Sequence, residues 1–258
     1  MPKRRATPSG FSVHWLAWWR FQQRDWYAAP EPLAALVEAV QRSVYWPHMN
    51  RMGIGFKKGG EIPPKPALLQ AMRSKSPGVF SFARGDADAP TWGDATQCLV
   101  RMDVMRSYFS LQCMLRENAL AAAGAACLDS GIELVLELRR AWADIAYLQY
   151  AESFPAAKTG LEYTRPHPNL MSNSRSLCAL VHIVDPDVVV GEDEAWRQAE
   201  NVRLATAKLP KSISRVQRDG ATIIRTVSDP TELTKLRRAA ATHERWIVPL
   251  IETLPADE

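Results

Sequence analysis

Residues 11–21 read FSVHWLAWWRF, and this stretch decides how the fold begins. Phe11, Val13, Trp15, Ala17, Trp19 and Phe21 fall on one side of an extended chain, with Ser12, His14, Leu16, Trp18 and Arg20 on the other. Successive side chains of a strand point to opposite faces, so this strict alternation specifies a half-buried strand with the aromatic side inward. From Pro32 the period lengthens. Leu33, Leu36, Val37, Val40 and Val44 share one helical face, and Trp46-Pro47 closes the helix. The chain therefore opens with a strand followed by a helix.

Downstream, residues 51–66 are rich in Gly, Lys and Pro and read as a loop or a short edge strand, with a helix at 67–73. Residues 78–94 read as irregular. The runs 98–105 and 107–115 alternate and lie so close together that they predict an antiparallel hairpin, with Phe109, Leu111, Cys113 and Leu115 on one face. Helical spacing at 119–128 and 132–142 is interrupted by Asp129-Ser130-Gly131, and 144–151 (DIAYLQYA) reads as a strand. Residues 154–176 carry Pro155, Pro166 and Pro168 and are expected to form a long surface loop. The run LCALVHIV at 177–184 is continuously apolar, as in a central strand covered on both faces, and a helix is expected at 192–205.

Residues 213–218 and 221–227 flank Asp219-Gly220, a strong hairpin signal because a type I′ turn needs positive φ at both central positions. A final helix starts at Asp229-Pro230, where Glu232 completes a capping-box-like pattern and Leu233, Leu236, Ala240, Ile247, Leu250 and Ile251 form the buried stripe. This order of elements gives an α+β fold, a mainly antiparallel sheet with helices packed on it. The 258 residues contain no linker-like break, so residues 11–254 read as a single α+β domain behind a basic flexible tail at 1–10 (MPKRRATPSG).

A hydrophobic fraction of 47% with 23% charged residues supports a substantial core. No apolar run approaches the roughly 20 residues of a membrane span, and the basic amino terminus lacks the apolar segment of a secretory signal. The expectation is a cytoplasmic protein without membrane contact. Cys98, Cys113, Cys127 and Cys178 are widely spaced and read as reduced, buried thiols.

The sequence offers little catalytic apparatus. His14, His48, His167, His182 and His243 have no metal-binding spacing, so no metal is expected, and His182 reads as a core residue. Nucleophile-elbow and phosphate-loop motifs are missing, and Gly53-Ile54-Gly55 lacks the third glycine of a dinucleotide site. The expectation is a protein with no cofactor that is not an enzyme.

Candidate contact residues fall into three groups. Asp185, Asp187, Glu192, Asp193 and Glu194 place five carboxylates around Val188-Val189-Val190. These suit either the acidic first turn of a helix or a contact with a basic partner. Trp18 and Trp26 lie outside the inward set of the first strand and can serve the core or anchor an interface. Lys235, Arg237, Arg238 and Arg245 on the final helix suggest an alternative, a DNA-binding repressor, although no helix-turn-helix is visible and the net charge is only +4.

Three stretches carry a family resemblance. An aromatic strand (SVHWLAWW) runs into an amphipathic helix (PLAALVEAVQRSV), and the chain closes on LPKSISRVQRDGATIIRTVSDPTELTKLRRAAATHERWIVPLI. This arrangement resembles the immunity proteins of bacterial polymorphic toxin and type VI secretion systems, particularly those paired with restriction-endonuclease-like nuclease toxins. The resemblance implies a cytoplasmic antitoxin that neutralises a cognate effector by direct contact. It transfers no catalytic residues, and contact residues in such families vary with the toxin. This chain departs from the acidic character of many nuclease inhibitors.

Overall fold

The computed structural model describes residues 12–55, 59–84, 98–116, 122–124, 126–156, 181–185, 202, 205–206, 208–209 and 213–225. The strands are β1 (Ser12–Phe21), β2 (Arg51–Ile54), β3 (Gly60–Glu61), β4 (Gly78–Ala83), β5 (Cys98–Val104), β6 (Tyr108–Arg116), β7 (Ala146–Ala156), β8 (Val181–Val184), β9 (Ser214–Arg218) and β10 (Ala221–Arg225). Three helices accompany them among the described residues, α1 (Pro30–Arg42), α2 (Lys65–Lys75) and α3 (Ala126–Ala141). The strands form one ten-stranded sheet in the order β3-β2-β4-β5-β6-β1-β7-β8-β10-β9. Every adjacent pair runs antiparallel. The architecture is α+β and forms a single domain.

The aromatic alternation of β1 sets the centre of this sheet. Val13, Trp15, Ala17 and Trp19 stand opposite Leu115, Cys113, Leu111 and Phe109 of β6, and all eight are at most 3% exposed. The predicted hairpin of β5 and β6 extends the row, adding Cys98, Val100, Met102 and Val104. Phe80 and Phe82 of β4 continue it toward the β3 edge. On the other flank, β7 contributes Leu148 and Ala151, with a register shift between Trp18 and Trp19.

The helices cover this inner face. Leu33, Leu36, Val37 and Val40 of α1 are buried as the helical period predicts. Trp142, just beyond α3, sits with Trp19, Phe21, Trp26 and Phe109 at ring-centroid distances of 5.2–5.5 Å, and its indole donates to the carbonyl of Pro32 at 3.2 Å. Each large side chain so buried contributes roughly 1.5–3 kcal/mol. The indole nitrogens of Trp15 and Trp19 are buried without a hydrogen-bond partner. The apolar area of two whole indoles offsets that cost of roughly 1–3 kcal/mol per group.

Several local expectations are revised. α1 ends at Arg42, before Trp46-Pro47, and residues 154–156, expected to open a long loop, complete β7 beside Ser12, Val13 and His14 of β1. Residues 78–83, read as irregular, form strand β4 between β2 and β5. Gly78 and Ser81 weaken the strand signal, and tertiary burial of Phe80 and Phe82 overrides it. The helix expected to break at residues 129–131 runs through them. Asp129 lies in the first turn of α3, where a carboxylate suits the helix dipole, and Ser130 Oγ accepts the Val44 N–H at 3.0 Å. The turn at Asp219-Gly220 has φ of 52° and 74°, the left-handed pair that a two-residue hairpin requires. Within the described residues 181–184, β8 is buried throughout and is an interior strand, as its apolar run specifies.

Candidate partner-binding surface

The polar side of β1 looks away from the helices, and its neighbours define the opposite face of the sheet. Register places Leu16 beside Gln112, Trp18 beside Ser110 and Arg20 beside Tyr108, with Arg101 and Asp103 of β5 next in line. Leu16, Trp18, Tyr108, Met114 and Leu99 are half-buried, and Arg20 and Gln112 are exposed. Trp18 and Tyr108 stack at a centroid distance of 4.7 Å with 15° between their planes. Arg101 Nε donates to Asp103 at 2.8 Å, and Ser110 Oγ donates to the same carboxylate at 3.1 Å. The result is an aromatic plate beside an ion pair satisfied within the sheet, a surface suited to covering a partner's apolar area.

The same face is closed farther along the sheet. Glu152, His182, Thr222 and Ile224 are at most 3% exposed, and His182 Nδ1 lies 3.8 Å from Glu152 Oε2. The register sets Glu152 directly opposite His182, so the expected core histidine shares its site with a carboxylate that the sequence did not single out. Val184, Ile213 and Ile224 form a second small apolar cluster here with Leu209 packed against it. The outer face is thus covered over β7, β8 and β10 and half-open over β1, β5 and β6.

The predicted contact residues separate. Trp18 lies on the half-open face. Trp26 belongs to the core: it is 5% exposed, stacks on Phe21 at 3.9 Å, and donates to the carbonyl of Met105 at 2.8 Å. Asp185 is 6% exposed and accepts from Arg139 at 3.0 and 2.5 Å, holding α3 to the end of β8. Arg218 with Glu133 and Arg225 with Asp129 extend this line of ion pairs between α3 and the β9–β10 hairpin. Asp187, Glu192, Asp193, Glu194, Lys235, Arg237, Arg238 and Arg245 lie outside the described residues.

A groove of about 710 Å³ opens between α1 and α2, lined by Tyr27, Pro30, Leu33, Pro66, Leu69 and Arg73 among others. No local pattern signals it, because its walls come from helices separated by more than 20 residues. Among the described residues no group of three or more His, Cys, Asp or Glu side chains could hold a metal ion. No helix there is long and apolar enough to cross a membrane. Burial pushes the thiol of Cys98 up to about 12 and that of Cys113 well above its usual value.

No protein-family model matches the chain, and no curated protein matches it either. Among solved structures, its fold is similar to that of the Pseudomonas aeruginosa T6SS (type VI secretion system) protein PA0821. The TM-score is 0.50 at 11% sequence identity, over 94% of this chain and 76% of the other. At that identity the likeness is one of fold, and it spans nearly the whole chain.

Proposed function

We propose that this protein belongs to a type VI secretion system as an immunity protein, and that it neutralises a cognate effector by direct contact rather than by catalysis. The observation that carries the reading is the fold shared with a T6SS protein over 94% of the chain. The strand, helix and closing-hairpin pattern that resembles immunity proteins supports it from the sequence side. The effector is a nuclease, following the group that the pattern resembles, and the site of action is the cytoplasm.

The half-open sheet face supplies the contact. Trp18 stacked on Tyr108 is the anchor, since a rigid aromatic pair buries area at low entropic cost. Arg101, Asp103 and Gln112 form its polar rim.

The test is co-expression with candidate toxins encoded beside the gene. One of them should be toxic alone, be neutralised by this protein, and co-purify with it in stoichiometric amount at roughly nanomolar affinity. Failure of every neighbouring product to bind would overturn the reading. Retention of promoter DNA instead, with affinity falling steeply as salt is raised, would favour the DNA-binding alternative.

A further inference from the structure

The groove between α1 and α2 is built from parts held in place by the fold. Leu33, Ala34 and Leu69 contribute to its apolar lining, with the ring of Tyr27 at one wall. The hydroxyl of Tyr27 donates to Asp25 at 2.5 Å, which fixes that ring. Pro30 and Pro66 also line the groove and stand in the first turns of the two helices. Lys65 Nζ lies 2.6 Å from Glu38 Oε1 and ties α2 to α1. At about 710 Å³ the groove falls within the roughly 300–1,000 Å³ of largely preformed ligand sites.

Its rim carries charges that the fold leaves uncommitted. Two ion pairs neutralise other charges on these helices, Glu38 with Lys65 and Arg42 with Glu137. Glu31 and Arg73 line the groove from opposite helices, are exposed, and make no ion pair or hydrogen bond among the described residues. The side-chain amide of Gln70, one turn before Arg73 on α2, is equally uncommitted among them.

An anion on one wall, a cation and an amide on the other, and apolar surface between them select a complementary occupant. It must carry a cation, an apolar stretch and an anion in series. An amphiphile with a single polar head would answer one of the two charges and leave the other unmatched. A polypeptide answers both, and its main chain offers the donor and acceptor that an amide such as Gln70 pairs with.

We propose that this groove binds an extended peptide segment of a partner protein in which apolar residues separate a basic residue from an acidic one. The basic side chain pairs with Glu31 and the acidic one with Arg73. The inference is independent of the effector reading, which uses the opposite face of the sheet.

The probe is a fluorescein-labelled peptide, KLALE, with both ends blocked, titrated into the full chain by fluorescence polarisation beside QLALQ and KLALK. KLALE should bind with a Kd below about 1 mM and at least about tenfold more tightly than QLALQ. Arg73→Glu, at an exposed position, should leave the thermal midpoint unchanged and exchange the preference, so that KLALK binds more tightly than KLALE. Absence of KLALE binding at about 1 mM, equal affinity for KLALE and QLALQ, or a preference unmoved by Arg73→Glu would each overturn the proposal. So would displacement of KLALE by decanoate at lower concentration than by unlabelled peptide, which would give the groove to a single-headed amphiphile.

Discussion

Gly131 of α3 lies directly against the indole of Trp15 in β1: a Cβ at this glycine would sit 2.2 Å from Trp15 Cε2 and 2.3 Å from Nε1. A glycine in a helix ordinarily costs up to about 1 kcal/mol relative to alanine. Here it lets the helix seat on the central strand, because a fully buried indole has nowhere to move.

Gly131→Ala is therefore expected to destabilise the fold by roughly 1–3 kcal/mol, against the gain that helix propensity alone would give. Chemical denaturation of the variant checks this. Pairing it with Trp15→Phe should recover part of the loss, since the smaller ring vacates the overlapped space.

Trp18 and Trp26 should behave oppositely. Trp26→Ala removes a buried ring stacked on Phe21 and should cost roughly 3–5 kcal/mol. Trp18→Ala, on the half-open face, should cost much less stability yet weaken effector capture at least tenfold. Equal stability losses for the two, or unchanged capture by Trp18→Ala, would remove Trp18 as the anchor.

Arg139→Ala leaves Asp185 buried without its guanidinium partner. Loss of one member of a buried pair typically costs about 3–5 kcal/mol, so this variant should melt well below the parent. Arg140→Ala, whose partner Asp219 lies at the exposed turn, should change the melting temperature little.

Cys98 and Cys113 should resist thiol reagents at pH 8 in the folded protein and react once it is denatured, because burial keeps both protonated. The linkage has a definite sign. A thiol whose value rises on folding from 9.0 to about 12 binds its proton more tightly in the native state. Its stabilising contribution is whole below pH 9 and is lost progressively toward pH 12. Tyr45, also raised by burial, adds to the same alkaline loss. Denaturation midpoints measured from pH 7 to 11 should fall only above about pH 9.

By itself the sequence determined the elements whose periodicity is local. The β1 alternation, the α1 stripe, the β5–β6 hairpin and the Asp219-Gly220 turn are all legible from neighbouring residues, since side-chain direction repeats every two or 3.6 positions. Tertiary structure decided what depends on contacts between distant segments. It placed β1 in the middle of the sheet, between β6 and β7, and drew residues 78–83 into a strand by burying Phe80 and Phe82. It also carried α3 unbroken through Gly131 because Trp15 needs that gap, and sent Trp26 to the core while leaving Trp18 on the half-open face. No local pattern encodes such choices, because each depends on the shape of a surface that exists only once remote segments have packed.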